Sequence, residues 1–254
     1  MRLFLSCLVL LFLAAAPAAG QAPPASPRPS PDFMFGPPDG SVAIRGSWMF
    51  ARAGSDWYDF VTDNLTLDPS DFNAPGIGLD VSVVLTPRID VQFGFDYSNA
   101  QTASEYRDFV DNNRLPITQS TRLREVNLSG NIKVALTERG REVSRFAWVP
   151  RRVVPYAGAG GGALWFDMNQ TGDFVDFVDL SVFTDVFRSR GWSPSAQVFG
   201  GVDVRLFKQL YVTVDGRYLW AAGDLGREWI DFDPIDLAGF RLSGGVNFVF
   251  AGRP

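Results

Sequence analysis

The stretch 239-GFRLSGGVNFVFAGRP-254 decides how the rest of the chain is read. Phe240, Leu242, Val246, Phe248 and Phe250 share one parity, and Arg241, Ser243 and Asn247 share the other. Such alternation is the signature of a strand with one apolar and one polar face. The same period recurs upstream. In SVAIRGSWMFARA (41–53), Val42, Ile44, Trp48 and Phe50 oppose Arg45, Ser47 and Met49. In GIGLDVSVVLT (76–86), Ile77, Leu79, Val81, Val83 and Leu85 oppose Asp80 and Ser82. A turn at Thr86-Pro87-Arg88 leads into IDVQFGFDYS (89–98), which sets Asp90, Gln92 and Asp96 against an apolar face. EVNLSGNIKVAL (125–136) alternates most cleanly, with Glu125, Asn127, Ser129, Asn131 and Lys133 on its polar side. VVPYAGAGGGALWF (153–166) is less clear, because its glycines leave the direction of Tyr156 open. AQVFGGVDVRLF (196–207) and LYVTVDGRYLWA (210–221) are separated only by Lys208-Gln209, which predicts a tight hairpin. With the closing segment 237–250, the pattern predicts about eight strands.

Composition narrows the setting. The chain has 254 residues, 23 Lys and Arg against 28 Asp and Glu, and a formal net charge of −5. That balance offers no basic face for nucleic acid. The 22 Phe and 25 Gly suit sheets whose backbones approach closely. At the N-terminus, Arg2, the apolar run Leu3 to Leu13 and Ala18-Ala19-Gly20 read as a cleaved signal peptide over 1–20. The run is shorter than the ~20 residues a spanning helix needs. Cys7, the only cysteine, lies inside it, so the processed chain would have neither disulfide nor thiolate. Residues 21–40, QAPPASPRPSPDFMFGPPDG, read as a Pro-rich periplasmic tether ahead of a single domain over 41–254.

Parity alone cannot tell a transmembrane barrel from a soluble one of the lipocalin type, since each is the other turned inside out. Loop asymmetry, aromatics near strand ends, the missing disulfides and strand length favour the membrane version. The gaps after the first, third, fifth and seventh strands (54–75, 99–124, 167–195, 222–236) are long, while those after the second and sixth are very short, as in up-and-down transmembrane barrels. The gap 137–152 breaks this rule. Trp48, Tyr97, Trp165, Tyr218 and Trp220 fall near strand ends, where interfacial girdles belong. The predicted strands are also long enough to cross a bilayer at a tilt.

VVPYAGAGGGALWF is similar to the Pro-Tyr-x-Gly-x-Gly strand of the small outer-membrane β-barrel family, typified by the membrane domains of outer-membrane proteins A and W. The hairpin FGGVDVRLFKQLYVTVDGRYLW also resembles that family. The resemblance implies an all-β, eight-stranded antiparallel up-and-down transmembrane barrel in a bacterial outer membrane, with ten strands if 173–192 forms a further pair. It further implies that the last strand is an insertion signal read by the barrel-assembly machinery. Ser243, Gly245, Phe248 and Phe250 match its pattern of polar residue, glycine and two apolar residues. Ala-Gly-Arg-Pro after Phe250 departs from the family's terminal Phe. Outer-membrane lipid and lipopolysaccharide are the surroundings it implies, and no cofactor.

The sequence contains no histidine. A Ser-His-Asp triad and a His-based metal site are therefore excluded. Barrel enzymes such as outer-membrane phospholipases, lipid A deacylases and omptin-type proteases resemble one another in using His as base or ligand, so the reading is non-catalytic, although a carboxylate pair could still act as acid and base. The inward parity carries five cations, Arg45, Lys133, Arg205, Arg217 and Arg241. It also carries six anions, Asp80, Asp90, Asp96, Glu125, Asp203 and Asp215. Buried charges must be paired, so these residues are expected to form an ion-pair network filling the lumen. The competing reading is a narrow polar path for small or hydrophobic molecules. Segment 173–192 interleaves Asp173, Asp176, Asp179 and Asp185 with Phe174, Phe177, Phe183 and Phe187, and reads either as extra strands or as an amphipathic lid helix. The acidic loop 56–68 offers carboxylates to divalent cations bridging lipopolysaccharide, a weak signal because it lacks an EF-hand order.

Overall fold

The computed structural model describes residues 33–111, 113–144, 147–229 and 231–251. The segment read as a signal peptide, 1–20, and most of that read as a tether, 21–40, lie outside the described residues. Eight long strands are present: β1 (Pro38–Ala51), β2 (Ala74–Val84), β3 (Ile89–Val110), β4 (Pro116–Ala135), β7 (Val153–Val175), β8 (Val182–Arg205), β9 (Leu210–Gly223) and β11 (Gly239–Ala251). Three short ones, β5 (Gly140–Ser144), β6 (Ala147–Pro150) and β10 (Ile235–Asp236), lie in the connections. Each long strand pairs antiparallel with its neighbour, and β11 pairs with both β9 and β1, which closes the ring. The barrel begins earlier than the sequence pattern predicts. Pro38 already belongs to β1, and Met34, expected in the tether, is buried and bridged through its backbone to Trp148.

Outward parity is apolar across a belt and then turns polar. On β3 the outward side chains run Ile89, Val91, Phe93, Phe95, Tyr97 and then Asn99 and Gln101. From Ile89 to Tyr97 the strand covers about 27 Å, or about 21 Å along the membrane normal at a tilt of about 40°. Above Tyr97 the ladder continues without the apolar face, so β3, β4, β7 and β8 project beyond the membrane. Two of the four predicted long loops are therefore strand: β3 and β4 meet across 111–115, and β7 and β8 across 176–181. The segment 173–192 is neither a lid helix nor a ninth and tenth strand; its residues extend β7 and β8. At the opposite, turn end, the irregular gap 137–152 holds the β5–β6 hairpin.

Glycine explains the blurred parity of β7. Gly158, Gly160 and Gly162 face inward, and a Cβ on Gly158 would lie 2.3 Å from the Phe199 ring. The space they leave admits large side chains from β8 and β4, and Tyr156 points into the lumen.

The loop end is closed by a hydrophobic cap. The β1–β2 connection carries helix α1 (Asp56–Asn64), whose Asp56 and Asp59 sit favourably in its first turn. Its Trp57, Tyr58 and Val61 are buried against Leu164, Phe166, Met168 and Leu219 from the barrel wall. Trp57 meets Phe72 at 5.7 Å and Trp229 at 6.2 Å between ring centroids. Asp236 ties the cap down: its Oδ2 accepts from Arg52 Nε at 2.6 Å and from the Gly54 amide at 2.9 Å. The acidic loop thus buries its apolar side chains, Trp57, Tyr58, Val61, Leu65 and Leu67, and leaves Asp59, Asp63 and Asp68 exposed. Trp57→Ala is expected to destabilise the cap by about 3–5 kcal/mol while the ring persists. Limited proteolysis should then cut within 52–73, with the gel-mobility difference between unheated and boiled protein retained.

Candidate functional site: the charged lumen

Below the cap the interior becomes ionic. Arg45 on β1 is 1% exposed and reaches three carboxylates from three strands. Its Nε lies 2.8 Å from Asp80 Oδ2, its Nη2 3.1 Å from Asp96 Oδ1, and its Nη1 3.7 Å from Asp215 Oδ1. Arg217 Nη2 donates to Asp80 at 2.7 Å and its Nε to Asp215 at 3.1 Å. Arg241 Nη1 lies 3.4 Å from Asp96. Three guanidiniums therefore face three carboxylates across the lumen. The network extends through Ser98, whose hydroxyl donates to Glu125 at 3.2 Å, and through Tyr156, whose hydroxyl donates to Asp215 at 3.2 Å. Arg217 also stacks 4.7 Å above the Phe199 ring, a favourable cation–π contact.

A second group sits near the turn end. Lys133 Nζ donates to Asp203 at 2.9 Å and lies 3.7 Å from the centroid of Tyr156. Arg139 Nη1 is 2.7 Å from Asp90. The structure thus divides the predicted residues into two clusters. Arg45, Asp80, Asp96, Asp215, Arg217 and Arg241 meet in the first, and Glu125 joins through Ser98. Lys133 and Asp203 belong to the second, with Asp90 beside them. Arg205 lies on the inward parity near the turn end, opposite Tyr211. Arg139 was invisible to strand parity because it comes from a connection. Tyr156 was hidden by the glycines around it.

On β11, Ser243 faces inward and accepts from Arg45 Nη1 at 3.2 Å. Gly245 lies on the same parity, where a Cβ would come 2.0 Å from Ile44 O. Phe248 and Phe250 point outward, with ring centroids 5.3 Å apart. In 173–192, Phe174 packs edge-on against Phe187 at 4.6 Å, and Phe177 lies among Phe60, Tyr106 and Phe109. Among the described residues, no group of three or more His, Cys, Asp or Glu is placed to hold a metal ion, the acidic loop included.

In lipid every backbone hydrogen bond must be made internally, so a closed ring that is apolar outside and charged within is a transmembrane barrel. Eight antiparallel strands with short turns at one end define the small outer-membrane type. No helix among the described residues is long and apolar enough to cross a membrane. No family model and no curated protein matches the chain. Among solved structures it is similar to the outer membrane protein OprG from Pseudomonas aeruginosa, at 12% identity over 86% of this chain and 100% of that one, with a TM-score of 0.47. It is also similar to Ail of Yersinia pestis, at 13% over 84% and 99%, TM-score 0.43. The outer membrane protease OmpT from Escherichia coli is similar at 10% over 87% and 100%, TM-score 0.38. The fold stands on the chain's own strand register rather than on these likenesses.

Removing one member of the central cluster leaves its partners charged and buried, which costs about 3–5 kcal/mol. Arg217→Ala is expected to lower stability by that order, and Arg45→Ala at least as much. Arg88→Ala should change stability by less than about 0.5 kcal/mol, because Arg88 and its partner Glu138 are exposed. Urea unfolding from lipid vesicles, followed by tryptophan fluorescence, gives the comparison. Equal midpoints for Arg217→Ala and Arg88→Ala would remove the network from the stability of the barrel.

Proposed function

We propose that this protein is a non-catalytic outer-membrane barrel with a blocked lumen, serving membrane integrity or surface interaction through its exterior and projecting strands. The observation that carries the reading is the central ion cluster, in which Arg45, Arg217 and Arg241 span the lumen to Asp80, Asp96 and Asp215. An eight-stranded interior is only just wide enough for side chains to fill, and the apolar cap lies above this layer. At the turn end, Trp148 is buried and Arg139 reaches inward to Asp90. The absence of histidine and the commitment of Asp80, Asp96 and Asp215 to guanidiniums leave no free acid–base pair in that cluster. By resemblance, Ser243, Gly245, Phe248 and Phe250 would present the insertion signal to the barrel-assembly machinery.

A second reading, a narrow channel or transporter for small or hydrophobic molecules, is favoured by the polar lining itself, which includes Gln92, Asn127, Asn131 and Gln197. Conductance separates the two. The refolded protein in planar bilayers is expected to be silent, with folding established by the gel-mobility difference between unheated and boiled samples. Discrete, stable channels altered by Arg217→Ala would make the lumen a conducting path and overturn the first reading.

A further inference from the structure

The outer face of β4, β7 and β8 carries an arrangement that the lumen does not use. Cα register places Arg122 opposite Asn169 and Asn169 opposite Arg188, with Arg124, Asp167 and Arg190 aligned two residues nearer the membrane. The next row down is Val126, Trp165 and Trp192. Four arginines therefore converge directly above a tryptophan pair, in a chain whose net charge is −5. Asp167 lies among them in the same register. Arg188 Nε donates to it at 2.7 Å, and Arg124 Nη2 donates to its other oxygen. Burial pushes the Asp167 carboxyl up, but the hydrogen bonds from Arg188 and Arg124 outweigh it and hold the group below its ordinary value. Asp167 thus remains ionised at neutral pH between Arg124 and Arg188. The Nε atoms of Arg122 and Arg124 donate to no protein acceptor among the described residues.

Depth gives this patch its chemistry. Interfacial tryptophans mark the boundary between acyl chains and headgroups, so the two arginine rows lie at headgroup level. Strand spacing and rise separate the four guanidinium-bearing positions by about 10 Å across the sheet and about 7 Å along it. Such a spread suits two phosphates better than one. Below the tryptophans, the outward side chains of β7 and β8 are apolar and mostly small: Ala163 faces Pro194, Gly161 faces Ala196, Ala159 faces the exposed Val198, and Ala157 faces Gly200.

We propose that this face binds a phosphorylated glycolipid of the outer leaflet, its two phosphates on Arg122, Arg124, Arg188 and Arg190 and its acyl chains along the apolar belt below. Arginine engages phosphate oxygens bidentately through charge-assisted hydrogen bonds, which makes it the side chain suited to such a headgroup. Arg124 and Arg188 are pre-positioned by Asp167, while Arg122 and Arg190 flank that clamp in the same two rows. The inference rests on the outer-membrane reading but not on whether the lumen conducts.

The test uses the full-length folded barrel in phosphatidylcholine nanodiscs doped in both leaflets with diphosphoryl lipid A, monophosphoryl lipid A or phosphatidylglycerol. Doping both leaflets makes the result independent of barrel orientation. Native mass spectrometry counts the lipid retained. Wild type is expected to retain diphosphoryl lipid A, with weaker retention of the monophosphoryl form and none of phosphatidylglycerol. The pair R122Q/R190Q, which spares the Asp167 clamp, should lower retention about tenfold or more. R151Q/R152Q, at exposed turn-end positions, should leave it unchanged. Equal retention by R122Q/R190Q, with its gel-mobility shift intact, would overturn the site. So would equal retention of phosphatidylglycerol, which would mark general anionic attraction. Retention together with channel activity would sustain the site while refuting the sealed lumen.

Discussion

Backbone hydrogen bonding in lipid governs everything else in this molecule. Hydrocarbon offers no partner for an unpaired N–H or C=O, so a sheet can cross a membrane only if it has no edge. The seam between β1 and β11, running in register from Gly40 with Phe250 to Ala51 with Gly239, removes both edges at once. Closure fixes the alternation of every strand. Once Phe248 and Phe250 must face lipid, Ser243 and Arg241 must face the lumen, and the interior inherits whatever the polar parity carries.

What it carries is charge, and an interior this narrow cannot hydrate charge freely. The central cluster resolves this by convergence: one arginine from β1 bridges carboxylates on β2, β3 and β9, so strands distant in the chain are cross-linked through the lumen. The lumen is not uniform along its axis. Above Glu125 the inward positions turn apolar, at Leu123, Leu164, Phe166 and Leu219, and receive Trp57 and Tyr58 from α1. Ion pairing in the middle and hydrophobic packing at the loop end are two solutions to one filling problem.

The exterior changes character just as sharply. Beyond Tyr97, Trp165 and Trp192 the strands keep their hydrogen-bond ladder but lose their apolar face, and arginines replace hydrocarbon. The position of Arg122, Arg124, Arg188 and Arg190 reflects the same two-residue period that builds the belt. Charge at headgroup height and apolar side chains beneath it lie on the same strands because hydrocarbon does not tolerate charge.

Much of this was written in the chain. Period-two alternation marked about eight strands and their two faces, because side-chain direction in a strand follows directly from residue number. It therefore also named the inward charges, from Arg45 to Arg241. Tertiary structure alone decided which charges meet, since Arg45 and Asp215 are brought together by closure and by no local rule. It also decided that β3, β4, β7 and β8 outrun the membrane, because the ladder needs only backbone partners and persists where side-chain alternation no longer reports it. Tyr156 was obscured by glycines, which have no side chain to reveal parity. Arg139 and Trp57 reach the interior from connections, where residue number carries no directional information and only packing determines where a side chain goes.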